Sequence, residues 1–187
     1  MGNTLSQLEG KKSLLSDNFL KCKTYLVPVS VLRNFKNQFC NLSSDFGITK
    51  QEFTQIIPDE AVFDLFDTEA GGVVQVTEIL AGLVMFSGIS PDDKVQCNRY
   101  AVLFNLFDFN SQETISRTDL QLLCYTALSS VSKVLGHSGE VDTSEVCQVV
   151  ANYFHSNILV DFSSLLEFCL HSQSVTQLLT VVESTFN

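Results

Sequence analysis

The chain has 187 residues, a net charge of −10, 45% apolar residues and 15 Phe, a length that buries a substantial core in one large domain or two small lobes. The acidic balance argues against non-specific nucleic-acid binding, which uses Lys and Arg to displace counterions from phosphates, and it suits a cationic partner, peptide or metal instead. No window reaches the roughly 18 uninterrupted apolar residues of a membrane span, so a soluble protein is expected.

The chain opens with Met1-Gly2-Asn3-Thr4-Leu5-Ser6, which fits the pattern in which Gly2 becomes the acceptor for myristate once Met1 is removed. The apolar stretch of a secretory signal is missing, so export is not expected. One myristoyl chain gives only marginal membrane affinity. Lys11, Lys12, Lys21 and Lys23 offer a weak second signal, and any membrane residence should be reversible. Residues 1–24 are read as this lipidation segment and an arm, on a cytoplasmic protein with membrane contact as an added option.

Residues 25–88 and 89–172 then read as two pairs of helix-loop-helix units. Val31, Leu32, Phe35 and Phe39 carry helical spacing into a loop from Asn41 to Glu52. Ile57-Pro58-Asp59-Glu60 places a proline and two acids at the first turn of the next helix. The strongest signal is a repeat: Phe63-Asp64-Leu65-Phe66-Asp67 and Phe104-Asn105-Leu106-Phe107-Asp108 both end a helical pattern and open a polar loop. After each loop comes a branched apolar residue, Val74 or Ile115, then an acid, Glu78 or Asp119, then another apolar helix. That is the layout of helix, 12-residue loop, helix.

Ser90-Pro91-Asp92-Asp93 supplies an N-cap, a proline and acids for the helix through Leu103, Phe104 and Phe107. Asp119 to Leu135 reads as one long helix, broken by Gly136-His137-Ser138-Gly139. Asp142 to Glu145 is a capping-box variant ahead of Val146, Val149, Val150, Tyr153 and Phe154. The fourth loop follows, and Phe162, Leu165, Leu166 and Cys169 begin its exit helix. In 173–187, Val175, Leu178, Leu179, Val182 and Phe186 form an amphipathic C-terminal helix outside the four units. Six cysteines without any C-x-x-C pair read as reduced core thiols.

A calcium loop takes oxygen ligands at positions 1, 3 and 5, a carbonyl at 7, often a water at 9 and a bidentate Glu at 12, with Gly at 6 for the turn. The loop from Asp67 to Glu78 keeps Asp67, Glu69, Gly72 and Glu78 in place, with the Val73 carbonyl and Gln75 at the water-mediated position. Gly71 leaves position 5 empty, so this is the best calcium candidate but an incomplete one. The loop from Asp108 to Asp119 is weaker. Asn110, Gln112 and Ser116 are neutral, Thr114 offers a carbonyl, Asp119 is short for bidentate reach, and Glu113 stands where Gly is wanted. The first loop has Phe46 in that place, with Asn41, Ser43, Asp45 and Glu52 as residual oxygens. The fourth offers Tyr153, His155, Asn157 and Ser164. Neither outer loop is expected to hold metal.

Three stretches, MGNTLS at 1–6, FDTEAGGVVQVTEILAGLVMFSG at 66–88 and LFNLFDFNSQETISRTDLQLL at 103–123, resemble the calcineurin B and neuronal calcium sensor group of myristoylated EF-hand proteins. That group includes a ciliary branch without the lipidation motif. The resemblance implies an all-α, EF-hand-like fold of two lobes whose apolar groove receives an amphipathic helix from a protein target. It also implies myristate on Gly2 and calcium, if any, at Asp67 to Glu78. The chain departs from the group in its short connection between Glu52 and Asp67 and in three eroded loops.

Catalysis is not expected. His137, His155 and His171 are isolated, the serines read as caps and loop residues, and no nucleophile-with-base or metal-protease motif occurs. Two functions remain open: an adaptor or regulatory subunit that holds a partner helix with weak or absent calcium dependence, and a calcium sensor that switches a target enzyme or a ciliary or cytoskeletal assembly through Asp67 to Glu78.

Overall fold

The computed structural model describes residues 29–42, 46–86, 93–136, 143–154, 159–173 and 175. Gly2 and the rest of 1–28, the cap expected at Ser90 to Asp92, Asp142, His137, His155, Asn157, Ser43, Asp45 and all of the C-terminal segment beyond Val175 lie outside them. The described chain is mostly helical, with two small antiparallel sheets in addition to the helices.

In chain order the elements are α1 (Val29–Leu42), β1 (Gly47–Thr49), α2 (Lys50–Ile56), α3 (Glu60–Phe66), β2 (Val73–Gln75) and α4 (Val76–Phe86). They continue with α5 (Asp93–Phe107), β3 (Thr114–Ser116), α6 (Arg117–Val134), α7 (Thr143–Tyr153), β4 (Leu159–Asp161) and α8 (Phe162–His171). Each strand links two helices, and the strands pair two by two: Ile48 faces Val74 in β1–β2, and Ile115 faces Val160 in β3–β4. These four branched residues, the apolar positions repeated in the sequence, are all buried. A three-residue ladder is too short to stand alone, so the flanking helices must supply most of the stability of each pair.

They do so through phenylalanine. Phe39 of α1 stacks on Phe53 of α2, with ring centroids 6.0 Å apart, and Phe53 meets Phe63 of α3 edge-on at 5.6 Å. In the second half Phe104 meets Phe162 at 5.8 Å and Phe154 meets Phe168 at 5.5 Å. Such edge-on and offset pairs add about 0.5–1.5 kcal/mol beyond area burial. The core is continuous between the halves, and α4 packs closely along α6. Gly82 of α4 makes room for the Phe66 ring of α3, since a Cβ there would come within 2.7 Å of Phe66 Cζ.

Helix boundaries follow local chemistry with two adjustments. Pro58 lies outside α3, because the Asp59 side chain caps the helix by accepting from Ala61 N at 3.0 Å. The long sixth helix starts at Arg117 rather than Asp119, because Ser116 is its N-cap. It stops as expected at Gly136, whose φ of 68° suits glycine.

Candidate functional site

The loops from Asp67 and from Asp108 are built alike. Asp67 Oδ1 and Oδ2 accept from Gly71 N at 2.8 Å and Gly72 N at 2.9 Å. Asp108 Oδ1 and Oδ2 accept from Gln112 N at 3.0 Å and Glu113 N at 2.9 Å. In both, the fourth and sixth residues take positive φ: Ala70 and Gly72 in one, Ser111 and Glu113 in the other. The first aspartate therefore organises its own turn with both oxygens, whatever else the loop does.

The twelfth residue is where the loops diverge. In the first unit Glu52 Oε2 turns back to accept from Thr49 N at 2.9 Å, and Thr49 Oγ1 accepts from Glu52 N, closing a capping box on α2. The backbone N–H and then the hydroxyl of Thr49 hold the Glu52 carboxyl below its ordinary pKa. In the third unit Asp119 and Ser116 make the same box, at 3.1 Å in each direction. In the fourth, Asp161 accepts from Ser164 N at 2.8 Å, and this bond is the main reason its carboxyl is held low. These groups finish helix N-termini, a role worth about 1 kcal/mol for a typical cap.

In the second unit the ninth residue is Gln75, so Glu78 has no N-cap hydroxyl to pair with. Its carboxylate is bound instead by α6: Ser129 Oγ donates to Oε1 at 2.6 Å and Lys133 Nζ lies 2.9 Å from Oε2. Lys133 Nζ also donates to Phe66 O at 2.9 Å, and Ser130 Oγ lies 2.7 Å from both Glu78 O and Thr126 O. One ammonium thus joins the last carbonyl of α3, the first turn of α4 and the last turn of α6.

Of the residues expected to surround a calcium ion, Asp67 is turned to its own loop amides and Glu78 to α6. Glu69 and Gln75 are exposed, as is Val73. In the weaker loop Asp108 binds its own amides, Ser116 and Asp119 cap each other, Asn110 and Gln112 are exposed, and Thr114 lies in β3. Among the described residues no three His, Cys, Asp or Glu side chains are placed to hold a metal ion together. Calcium wants six to eight converging oxygens, and in this loop the closing carboxylate, Glu78, is turned to α6. Lys133 and Ser129 were not singled out in the sequence. The available signal was a lone lysine inside the apolar run of α6. The serines of that run are not cap residues: Ser129, Ser130 and Ser132 are buried mid-helix.

A second feature lies in the other half. Met85, Tyr100, Leu103, Leu123, Leu128 and Phe168 are among the walls of an apolar cavity of about 40 Å³ enclosed by α5, α6 and α8. Cys124 and Cys169 also face it, and Val175, just beyond α8, closes one side. Such a dry, oily space between helices takes apolar groups in preference to water. Exposed apolar side chains elsewhere include Phe46 and Phe109, whose rings meet edge-on at 5.7 Å between the first and third loops.

No helix among the described residues is long and apolar enough to cross a membrane. No family model matches the chain, and no curated protein matches it.

Proposed function

We propose that this chain is a non-catalytic adaptor of the EF-hand kind, which binds an amphipathic helix of a protein partner over the apolar space between α5, α6 and α8 and takes one anchoring side chain of it inside. It works with little dependence on calcium. The supporting observation is the cavity itself, apolar on every side and bordered by Val175 at the start of the C-terminal segment. At about 40 Å³ the space takes a single apolar side chain, so the partner helix lies across it and its remaining apolar positions, spaced i, i+3, i+4 and i+7, rest on the surrounding helices. The net charge of −10 favours a partner helix that is basic on its outer face. Gly2, as the myristate acceptor, gives the same protein reversible membrane contact in the cytoplasm.

Because Val175 already occupies one wall, the segment it begins competes with the partner for the groove. The test uses an amphipathic leucine–lysine peptide of about 18 residues, long enough for five helical turns, with the full chain and with a chain lacking 174–187. Binding should be measurable with the full chain, tighter after the deletion, and equal in calcium and in EDTA. Unchanged or weaker binding after the deletion contradicts competition for the groove. Binding that requires calcium favours the alternative, a sensor switched through Asp67 to Glu78.

A further inference from the structure

The second loop carries the sequence of a metal site, but its closing carboxylate serves another cation. In a metal-closed loop the ion ties the entering helix to the twelfth residue at the start of the exit helix. Here the same two ends are tied by one ammonium. Lys133 Nζ contacts Phe66 O, at the end of α3, and Glu78 Oε2, in the first turn of α4, both at 2.9 Å. Side-chain exposure is 23% for Lys133 and 12% for Glu78, so the pair is largely withdrawn from water and weakly screened. Ser129 holds the second carboxylate oxygen, so both oxygens of Glu78 have partners on α6.

We propose that Lys133 is a built-in cation that closes the Asp67–Glu78 turn in place of a divalent ion and locks α3 and α4 to α6. The ammonium stands on a third helix rather than in solution, so the closure is permanent and intramolecular. It makes the relation between the halves insensitive to calcium, and in this it rests on the adaptor reading while adding the group responsible. A lysine suits the role because its point charge can serve a carbonyl and a carboxylate at once. Ser129 and Ser130 complete the lock by taking the remaining side-chain and backbone oxygens of Glu78.

The test is thermal unfolding of the full chain in EDTA and in millimolar calcium, without any partner peptide, so its result is separate from that of the groove experiment. Wild type should give the same Tm in both buffers. Lys133→Met should lower Tm by about 5 °C or more, because it strands a carboxylate with little access to water. Lys133→Arg should retain most of the stability. The double variant Lys133→Met with Glu78→Met should lose less than the two single changes summed, and it keeps the comparison open if Lys133→Met alone does not fold. A wild-type Tm that rises with calcium and ceases to do so in Glu78→Gln overturns the proposal, as do additive losses in the double variant.

Discussion

Gly72 and Glu113 are the sixth residues of two loops built alike, and both lie in the left-handed region, at φ of 74° and 58°. Each donates its N–H to the aspartate that opens its loop, at 2.9 Å in both. The turn is the same; only the first has the residue suited to it.

Glu113→Gly should therefore stabilise the protein. A non-glycine residue in this region costs about 1–2 kcal/mol, partly offset by the extra freedom glycine brings to the unfolded chain. The expected gain is about 0.5–1 kcal/mol, read as a higher urea midpoint at constant slope. A lower midpoint would mean that the Glu113 side chain contributes more than its backbone costs.

Gly82→Ala should do the reverse. In a helix the alanine gains about 1 kcal/mol of propensity. Its Cβ, however, would lie 2.7 and 2.9 Å from Phe66 ring atoms, and that ring is only 1% exposed, with no room to withdraw. Overpacking of this kind costs about 1–3 kcal/mol, so a net loss is expected, with the packing of α3 on α4 loosened. A stabilised Gly82→Ala chain would show that the Phe66 ring is not held this close to α4.

Acid should unfasten the second helix. The Glu52 carboxyl is held below its ordinary value, first by the Thr49 backbone N–H and then by its hydroxyl. A carboxyl depressed on folding contributes stability that is complete above its unfolded pKa, about 4.3, and is lost as pH falls through the lower folded value. Wild type should thus lose its advantage over Glu52→Gln on acidification below about pH 4. Asp161, depressed chiefly by the Ser164 backbone N–H, should add to the same acid loss. An advantage that stays constant from neutral to acid pH would contradict the capping box.

Thiol reactivity should divide by place. Burial pushes the Cys124 thiol up to about 12, and burial first, then the neighbouring Cys124, raises Cys169 as well. Cys147 is exposed. Since the thiolate is the reactive form, iodoacetamide should label Cys147 in the native protein and reach Cys124 and Cys169 only on unfolding. Peptide mass mapping at increasing urea checks this. Native labelling of Cys124 as fast as Cys147 would mean that the cavity between α5, α6 and α8 is open.

Much of the helical layout was legible because its signals are local. Phe63 to Asp67 and Phe104 to Asp108 repeat, and the branched residues Val74 and Ile115 mark the strands. Gly136 ends α6 where the breaking signal stands. The left-handed strain at Glu113 was readable from its place in the loop. The fate of the twelfth-position acids was not. Whether Glu52 and Asp119 face a loop or their own N-cap depends on the hydroxyl three residues earlier, a signal present at Thr49 and Ser116 but shared by both alternatives. Glu78 depends on Lys133 and Ser129, more than 50 residues away, and only packing of α4 on α6 brings them together.

With Lys133 closing the Asp67–Glu78 turn, calcium should find no vacant site there. Calorimetric titration of calcium into the full chain, from micromolar to millimolar, with Glu78→Gln alongside, tests this most directly. No binding heat is expected in either protein. A saturable heat in wild type that disappears in Glu78→Gln would contradict it, and would return Glu78 to the metal and the protein to the class of switches.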